Sequence, residues 1–214
     1  LPVDGILADL GISSHQIDTP ERGFATRFEG PLDMRMGRKQ GTTAAQMINS
    51  FAEEKLYSVF KLYGEISNAR LLAKTIIEER SNPINTTNEL KEAIKSCIPL
   101  HYESKYLAQV FQAIRIEIND EMGALQAMLK QCADVLNPGG RLVVLSYHSL
   151  EDRLVKNYMK TGNFEGIQEK DFYGNIITPL KPVTRKPITA SENEIKSNPR
   201  SRSAKLRIAQ KTEA

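Results

Sequence analysis

At 214 residues, 40% hydrophobic and 26% charged, the chain is long enough to bury a sizeable core in one or two domains. No apolar stretch approaches the roughly 20 residues of a membrane span, and no charged-then-apolar leader marks a secretory signal. The net charge of +3 conceals an asymmetry: Lys181 to Ala214 carries nine Lys/Arg against three Glu, a net of +6 that leaves −3 on the rest.

The chain opens on Val3-Asp4-Gly5-Ile6-Leu7-Ala8-Asp9-Leu10-Gly11-Ile12-Ser13-Ser14-His15-Gln16. A short apolar run ending in a carboxylate, a glycine and two hydroxyls reads as a buried parallel strand. Such strands deliver polar groups to the ligand crevice at their carboxyl ends. No helix of its own is expected directly after this strand. An N-terminal βαβ portion is expected to precede it, outside this chain. A polar loop punctuated by Gly and Pro follows, from Arg22-Gly23-Phe24 to Pro31-Leu32-Asp33-Met34-Arg35-Met36. From Ala44 the period becomes helical, with Met47, Ile48, Phe51, Leu56, Val59 and Phe60, then Ile66, Ala69, Leu72, Ala73, Ile76 and Ile77 at three- and four-residue spacing. Thr86-Thr87-Asn88-Glu89 has capping-box spacing. It opens a helix bearing Leu90, Ala93, Ile94 and Cys97, which Pro99 ends. A further helix from about Ser104 carries Leu107, Val110, Phe111 and Ile114. No strand signal interrupts this block.

The α/β pattern then returns. Asn119 is placed to cap a helix bearing Met122, Leu125, Met128, Leu129, Cys132 and Leu136, and Asn137-Pro138-Gly139-Gly140 ends it. The apolar run Leu142 to Leu145 follows as a strand, completing an αβ unit of a parallel sheet. Ser146-Tyr147-His148-Ser149 stands at its carboxyl end, before an amphipathic helix from Leu150 to about Met159. Two strand-like segments, Leu180 to Ile188 and Ala204 to Ala209, flank a polar, disordered-looking loop from Ser191 to Ser203. The expected fold is therefore α/β, a partial Rossmann-like sheet with an all-helical insert. Its divisions are 1–35 and 118–214 for the sheet domain and 36–117 for the insert.

If the two parallel strands are neighbours, Asp9, Ser13 and Ser14 come near Ser146, His148 and Ser149, where an α/β enzyme keeps its site. A Ser-His-Asp hydrolase is one reading, but the G-x-S-x-G elbow is absent. His148 reads equally as a loop histidine bonded to backbone. His15 and His101 lack metal-ligand spacing, so no metal is expected. Neither a P-loop nor G-x-G-x-x-G occurs. Cys97 and Cys132 read as core thiols in a reducing compartment.

Phe24, Asp33, Arg35 and Arg115 mix aromatic and charged groups suited to phosphate pairing and base stacking. An internal packing seam, with Asp33 paired to Arg35 or Arg115, fits the same residues. The basic run holding Arg200, Arg202, Lys205 and Arg207 can neutralise RNA phosphates, or guard an edge strand.

Taken in order, these segments, with Tyr63-Gly64-Glu65, Phe111-Gln112-Ala113-Ile114-Arg115-Ile116, Pro138-Gly139-Gly140-Arg141-Leu142, His148-Ser149-Leu150-Glu151-Asp152-Arg153 and Asn198-Pro199-Arg200-Ser201-Arg202-Ser203, closely resemble the bacterial 16S rRNA cytosine-N4 methyltransferase family. The resemblance covers nearly the whole chain. It implies a class I methyltransferase core that uses S-adenosyl-L-methionine, with a helical substrate-recognition insert. It implies cofactor contacts at Asp9 and Gln16, while the family's glycine-rich turn and acidic ribose ligand are expected outside this chain, leaving it inactive alone. Acceptor or orienting roles in catalysis are expected for Asp9, Ser13, Ser14, Ser146 and His148. RNA contacts are expected at Asp33, Arg35, Arg115, Arg200, Arg202 and Lys205. The implied partner is 16S rRNA in the small ribosomal subunit, in the cytoplasm, with no membrane and no DNA, and with a homodimer left open. Two other classes compete. A DNA amino-methyltransferase would end the first strand in Asp/Asn-Pro-Pro-aromatic, which Asp9-Leu10-Gly11 is not. A non-catalytic RNA-binding or ribosome-assembly module would keep the basic tail without a cofactor crevice.

Overall fold

The computed structural model describes residues 2–39 and 41–213. Strand β1 (Val3–Asp9) leads to a short helix α1 (Ser14–Asp18), then α2 (Ala44–Ser50), α3 (Glu53–Leu62), α4 (Ala69–Glu79), α5 (Thr87–Ala93) and α6 (Glu103–Ile118). Next come α7 (Glu121–Val135), β2 (Leu136–Ser146), α8 (Ser149–Thr161), β3 (Leu180–Pro182), β4 (Ile188–Thr189), α9 (Glu192–Ser197) and β5 (Lys205–Lys211). The chain divides into a sheet unit, Leu1–Gly11 with Met122–Ala214, and a helical unit, Ile12–Glu121. No described helix is long and apolar enough to cross a membrane.

The helical unit is built as its periodicity requires. Ile48, Leu56, Phe60, Leu72, Ile76, Leu90, Val110 and Ile114 are buried in one core, each removed from water at a gain of roughly 1.5–3 kcal/mol. Helix starts are fixed by side chains. Thr86 Oγ1 accepts from the Glu89 amide at 3.2 Å while Glu89 Oε2 accepts from the Thr86 amide at 2.9 Å, which is the expected capping box. Helix α5 stops earlier than its apolar spacing suggests, and Lys95–Cys97 continues as a 3-10 turn. The loop from Arg22 to Met36, most of which sequence counted with the sheet domain (1–35), packs with the helices instead. Phe24, Leu32 and Met34 are buried in the helical core, Leu32 N donates to Asn85 O and Ala44 N to Asp33 O, each at 2.8 Å. Gly23 is required there: its φ is +71°, and a Cβ would strike the Pro31 carbonyl. A five-residue helix, α1, starts after a four-residue gap beyond β1, capped by Ser13, and it belongs to the helical unit.

Asn119 does not cap α7. It closes α6, accepting from the Met36 amide at 2.7 Å and donating to Met34 O at 2.9 Å, so its amide ties the loop to the helix instead.

In the sheet unit β1 runs parallel to β2, with Asp9 opposite Leu145, and β5 runs antiparallel to β2 and pairs with β3 and β4. The Pro-Gly-Gly segment lies inside β2 as an irregularity: Val3 pairs with Leu136 and Gly5 with Arg141, the extra residues being taken up where Gly139 adopts φ +79°. One face of the sheet is covered by α7 and α8, where Leu129, Leu142, Val144, Val155 and Ala209 form a core. β1 is covered on only part of its surface by the described residues. Among the described residues it ends the order β1-β2-β5-β3, and Leu7 is 74% exposed. The stretch from Ser191 to Ser203 is not disordered. Ser191 caps α9, accepting from the Glu194 amide at 3.2 Å, and Pro199–Ser203 forms a 3-10 helix.

Candidate functional site

The carboxyl tips of β1 and β2 lie side by side in the sheet unit. Leu10 N donates to Leu145 O at 3.0 Å, carrying the pairing one residue past Asp9. The Asp9 residue is exposed, and its Oδ1 accepts from the Tyr147 hydroxyl at 2.9 Å. Burial, then the neighbouring Asp9 carboxylate, push the Tyr147 phenol up to about 12. Tyr147 therefore keeps its proton at neutral pH and serves as a donor that orients Asp9.

Immediately after Tyr147 the chain enters α8. His148 is its N-cap, with Nδ1 accepting from the Glu151 amide at 3.4 Å and Nε2 lying 3.2 Å from Glu151 Oε1. The buried Glu151 carboxylate returns the contact, accepting from the Tyr147 amide at 2.9 Å and the His148 amide at 3.3 Å. A carboxylate set against first-turn amides is stabilised by the helix dipole. It fixes the backbone on which Tyr147 and His148 ride. The reading of His148 as a histidine bonded to backbone is thus the geometry found.

The next residue, Asp152, faces β5. Its carboxylate accepts from Arg207 Nε at 2.6 Å, Arg207 Nη2 at 3.2 Å and Lys205 Nζ at 3.2 Å. Burial raises its pKa, but the two cations outweigh that and hold it below the ordinary carboxylate range. A pocket of about 190 Å³ beside the β2 tip is lined by Tyr147, His148, Thr189, Arg202 and Lys205, among others. The structure thus brings His148, Arg202 and Lys205 of the sequence-selected residues around one depression, next to Tyr147, which holds Asp9.

Other selected residues are placed differently. Ser146 is 2% exposed and donates to Lys205 O at 3.3 Å, so it pins β5 rather than reaching a ligand, a correction to its direct role. Ser13, Ser14 and Gln16 belong to the helical unit. Ser13 Oγ accepts from the Gln16 amide at 3.3 Å, and Gln16 Oε1 accepts from the Ser13 amide at 2.9 Å. Ser14 is the exposed first residue of α1. In the helical unit Asp33 grips Arg35 through two bonds of 2.7 and 3.0 Å, and the same guanidinium lowers the Asp33 pKa. Arg115 pairs with Glu121, at 2.7 and 3.0 Å, and not with Asp33. Arg200 and Arg202 sit exposed in the 3-10 turn before β5. Both cysteines are free and buried.

Sequence reasoning passed over Tyr147, Glu151 and Asp152. The signal for Glu151 was present, since it stands three residues after the N-cap, at capping-box spacing. Nothing local marks Asp152, whose partners lie more than 50 residues away.

A model of the MraW methylase family matches residues 2–212. Curated relatives named ribosomal RNA small subunit methyltransferase H match over 98% of this chain. The protein from Amoebophilus asiaticus is 54% identical over 211 residues, spanning 68% of its own length. That from Bacteroides thetaiotaomicron is 56% identical over 210 residues (69% of its length), and that from Cytophaga hutchinsonii 55% over 210 residues (70%). With a family model covering nearly every residue and relatives of this identity aligned end to end along it, the chain belongs to the MraW methylase family.

Proposed function

We propose that the complete gene product transfers a methyl group from S-adenosyl-L-methionine to the exocyclic N4 amine of a cytosine in 16S rRNA of the small ribosomal subunit, in the cytoplasm. The single observation that carries this reading is the 54–56% identity, over 98% of the chain, to proteins named for methylating small-subunit ribosomal RNA. The donor set at the strand tips fits part of a methyl-donor site: an exposed carboxylate, Asp9, held by a phenol at 2.9 Å, followed by Gly11, which presents no side chain. The bound donor would supply an electrophilic methyl on a cationic sulfonium, which an anionic acceptor favours.

The amine of cytosine is a poor nucleophile because its lone pair is delocalised into the ring. Catalysis then rests on orienting that amine and accepting its N–H as positive charge develops. Asp9 is the acceptor, and Tyr147 fixes its rotamer. His148, clamped by Glu151, forms the wall of the pocket, and Ser146 acts through β5 by holding its register. Gln16 joins Asp9 in contacting the donor, and Ser13 and Ser14 orient that loop. The target base must leave its stack. Arg202 and Lys205 line the pocket that receives it, Arg200 extends that edge, and Asp33 with Arg35 and Arg115 position RNA as paired, geometrically fixed guanidinium groups.

Transfer of a labelled methyl to 16S rRNA tests the reading. Asp9→Ala is expected to lower kcat by about 10²–10³, the range for removing one pre-organised charge-stabilising group. Near-normal turnover would remove Asp9 from the centre. RNA binding without any heat from S-adenosyl-L-methionine in calorimetry would favour a non-catalytic assembly module.

A further inference from the structure

A second depression of the sheet unit gathers four cations among its eight lining residues. This groove, about 290 Å³, is bounded by Lys156 and Lys160 of α8, Arg185 in the β3–β4 connection and Arg207 of β5, over a floor that includes Met159 and Ile208. No carboxylate lines it. Arg207 is committed to Asp152, but among the described residues Lys156, Lys160 and Arg185 make no ion pair, and all three are exposed. The helix dipole accounts for Lys160, the lysine in the last turn of α8. It does not account for Arg185, which a separate segment brings to the same place. Converging like charges repel, so the arrangement is stabilised by an anion.

The groove also adjoins the candidate site. Lys205 and Arg207 stand two apart on β5, on one face of the strand, and share the Asp152 carboxylate. Lys205 lines the strand-tip pocket and Arg207 lines the groove, so one ion-pair cluster contributes a cation to each depression. A polyanion long enough to leave one and enter the other suits both linings. Flexible, hydrated lysines act as point charges suited to a series of phosphates rather than to one enclosed anion.

We propose that this groove carries the phosphodiester backbone of the RNA substrate away from the strand-tip pocket, with Lys156, Lys160 and Arg185 each facing a phosphate. The choice of RNA rests on the function proposed above, whereas the groove itself rests on its geometry and charge. It adds contacts that sequence analysis, which stopped at Arg200, Arg202 and Lys205, did not supply.

Fluorescence anisotropy of a short labelled single-stranded RNA with the complete gene product, without methyl donor, tests the inference. Each phosphate contact contributes about −0.7 to the slope of log K against log salt for single strands. The triple variant Lys156→Ala/Lys160→Ala/Arg185→Ala is therefore expected to flatten that slope by about 2. The variant Lys156→Arg/Lys160→Arg should keep the slope. Lys74→Ala/Lys95→Ala, which removes exposed lysines already paired with Glu78 and Glu92, should leave it unchanged. Circular dichroism confirms that each variant is folded. An unchanged slope in the triple variant, or no RNA binding by the parent protein, overturns the proposal. So does binding of phosphatidylserine vesicles or polyglutamate through these three cations while RNA affinity stays constant. Absence of methyl transfer alongside a groove-dependent slope would sink the transfer reading and leave the groove standing.

Discussion

The helical and sheet units treat charge in opposite ways. In the helical unit the arginines that sequence placed against RNA are held by their own carboxylates, Asp33 with Arg35 and Arg115 with Glu121, around a large apolar core. In the sheet unit one buried carboxylate, Asp152, serves two cations, while Lys156, Lys160 and Arg185 surround a groove that holds no acid. A paired guanidinium is held in one geometry, with only its remaining donors open to a ligand, whereas an unpaired cation brings its full charge. Charge count along the chain does not separate the two, since the difference lies in where the carboxylates fall.

The comparison can be broken most severely at the helical core. Phe60 is fully buried, and Phe60→Ala is expected to cost about 3–5 kcal/mol through lost transfer energy and a residual cavity. A urea titration followed by circular dichroism reads this. A loss below 1 kcal/mol would mean that the core collapses around the gap.

Next is Asp152→Asn, which leaves Arg207 mostly buried without its counter-charge and is expected to cost about 2–4 kcal/mol at pH 7. The pH dependence sharpens this. The folded-state pKa of Asp152 is depressed, so its contribution is fully present above its ordinary value of 3.8. It is lost as pH falls below that value and through the folded pKa. The parent and Asp152→Asn stability curves should therefore converge in acid. A gap that persists well below pH 3.8 would assign the loss to packing rather than charge.

Smaller effects are expected at Tyr147 and Ser13. Tyr147→Phe deletes one hydrogen bond to a carboxylate, so kcat should fall about tenfold, corresponding to roughly 1.5 kcal/mol. The rate should fall while stability stays nearly constant; a rate unchanged from the parent would show that Asp9 needs no such support. Ser13→Ala is expected to cost about 0.5–1 kcal/mol as the loss of a cap. If Ser13 only caps α1, methyl transfer stays at the parent rate. A drop of tenfold or more would restore it to the chemistry.

Much of the fold was legible because it is locally encoded. The apolar spacing of Leu56, Val59 and Phe60, or of Leu72, Ala73 and Ile76, marks a helical face whatever lies opposite, and Thr86 with Glu89 signals its own helix start. The strand-tip placement of Asp9 beside β2 followed from an apolar run ending in polar residues. Less legible were features that depend on distant partners. The loop carrying Phe24, Leu32 and Met34 shows no periodicity, so only packing assigns it to the helices. Ser146 looked like a site residue because it ends a strand, and its burial comes from β5, some 60 residues later.

The sequence by itself determined helices α2 to α8, the neighbouring β1 and β2 and the family, because each is written in neighbouring residues or in long matching motifs. Tertiary structure alone decided which charges are held by a carboxylate and which are not. Asp152 meets Lys205 and Arg207, and Lys156 and Lys160 meet Arg185, only when α8 packs across β5 and the β3–β4 connection. Electrostatic roles depend on separations in space, which chain order does not specify.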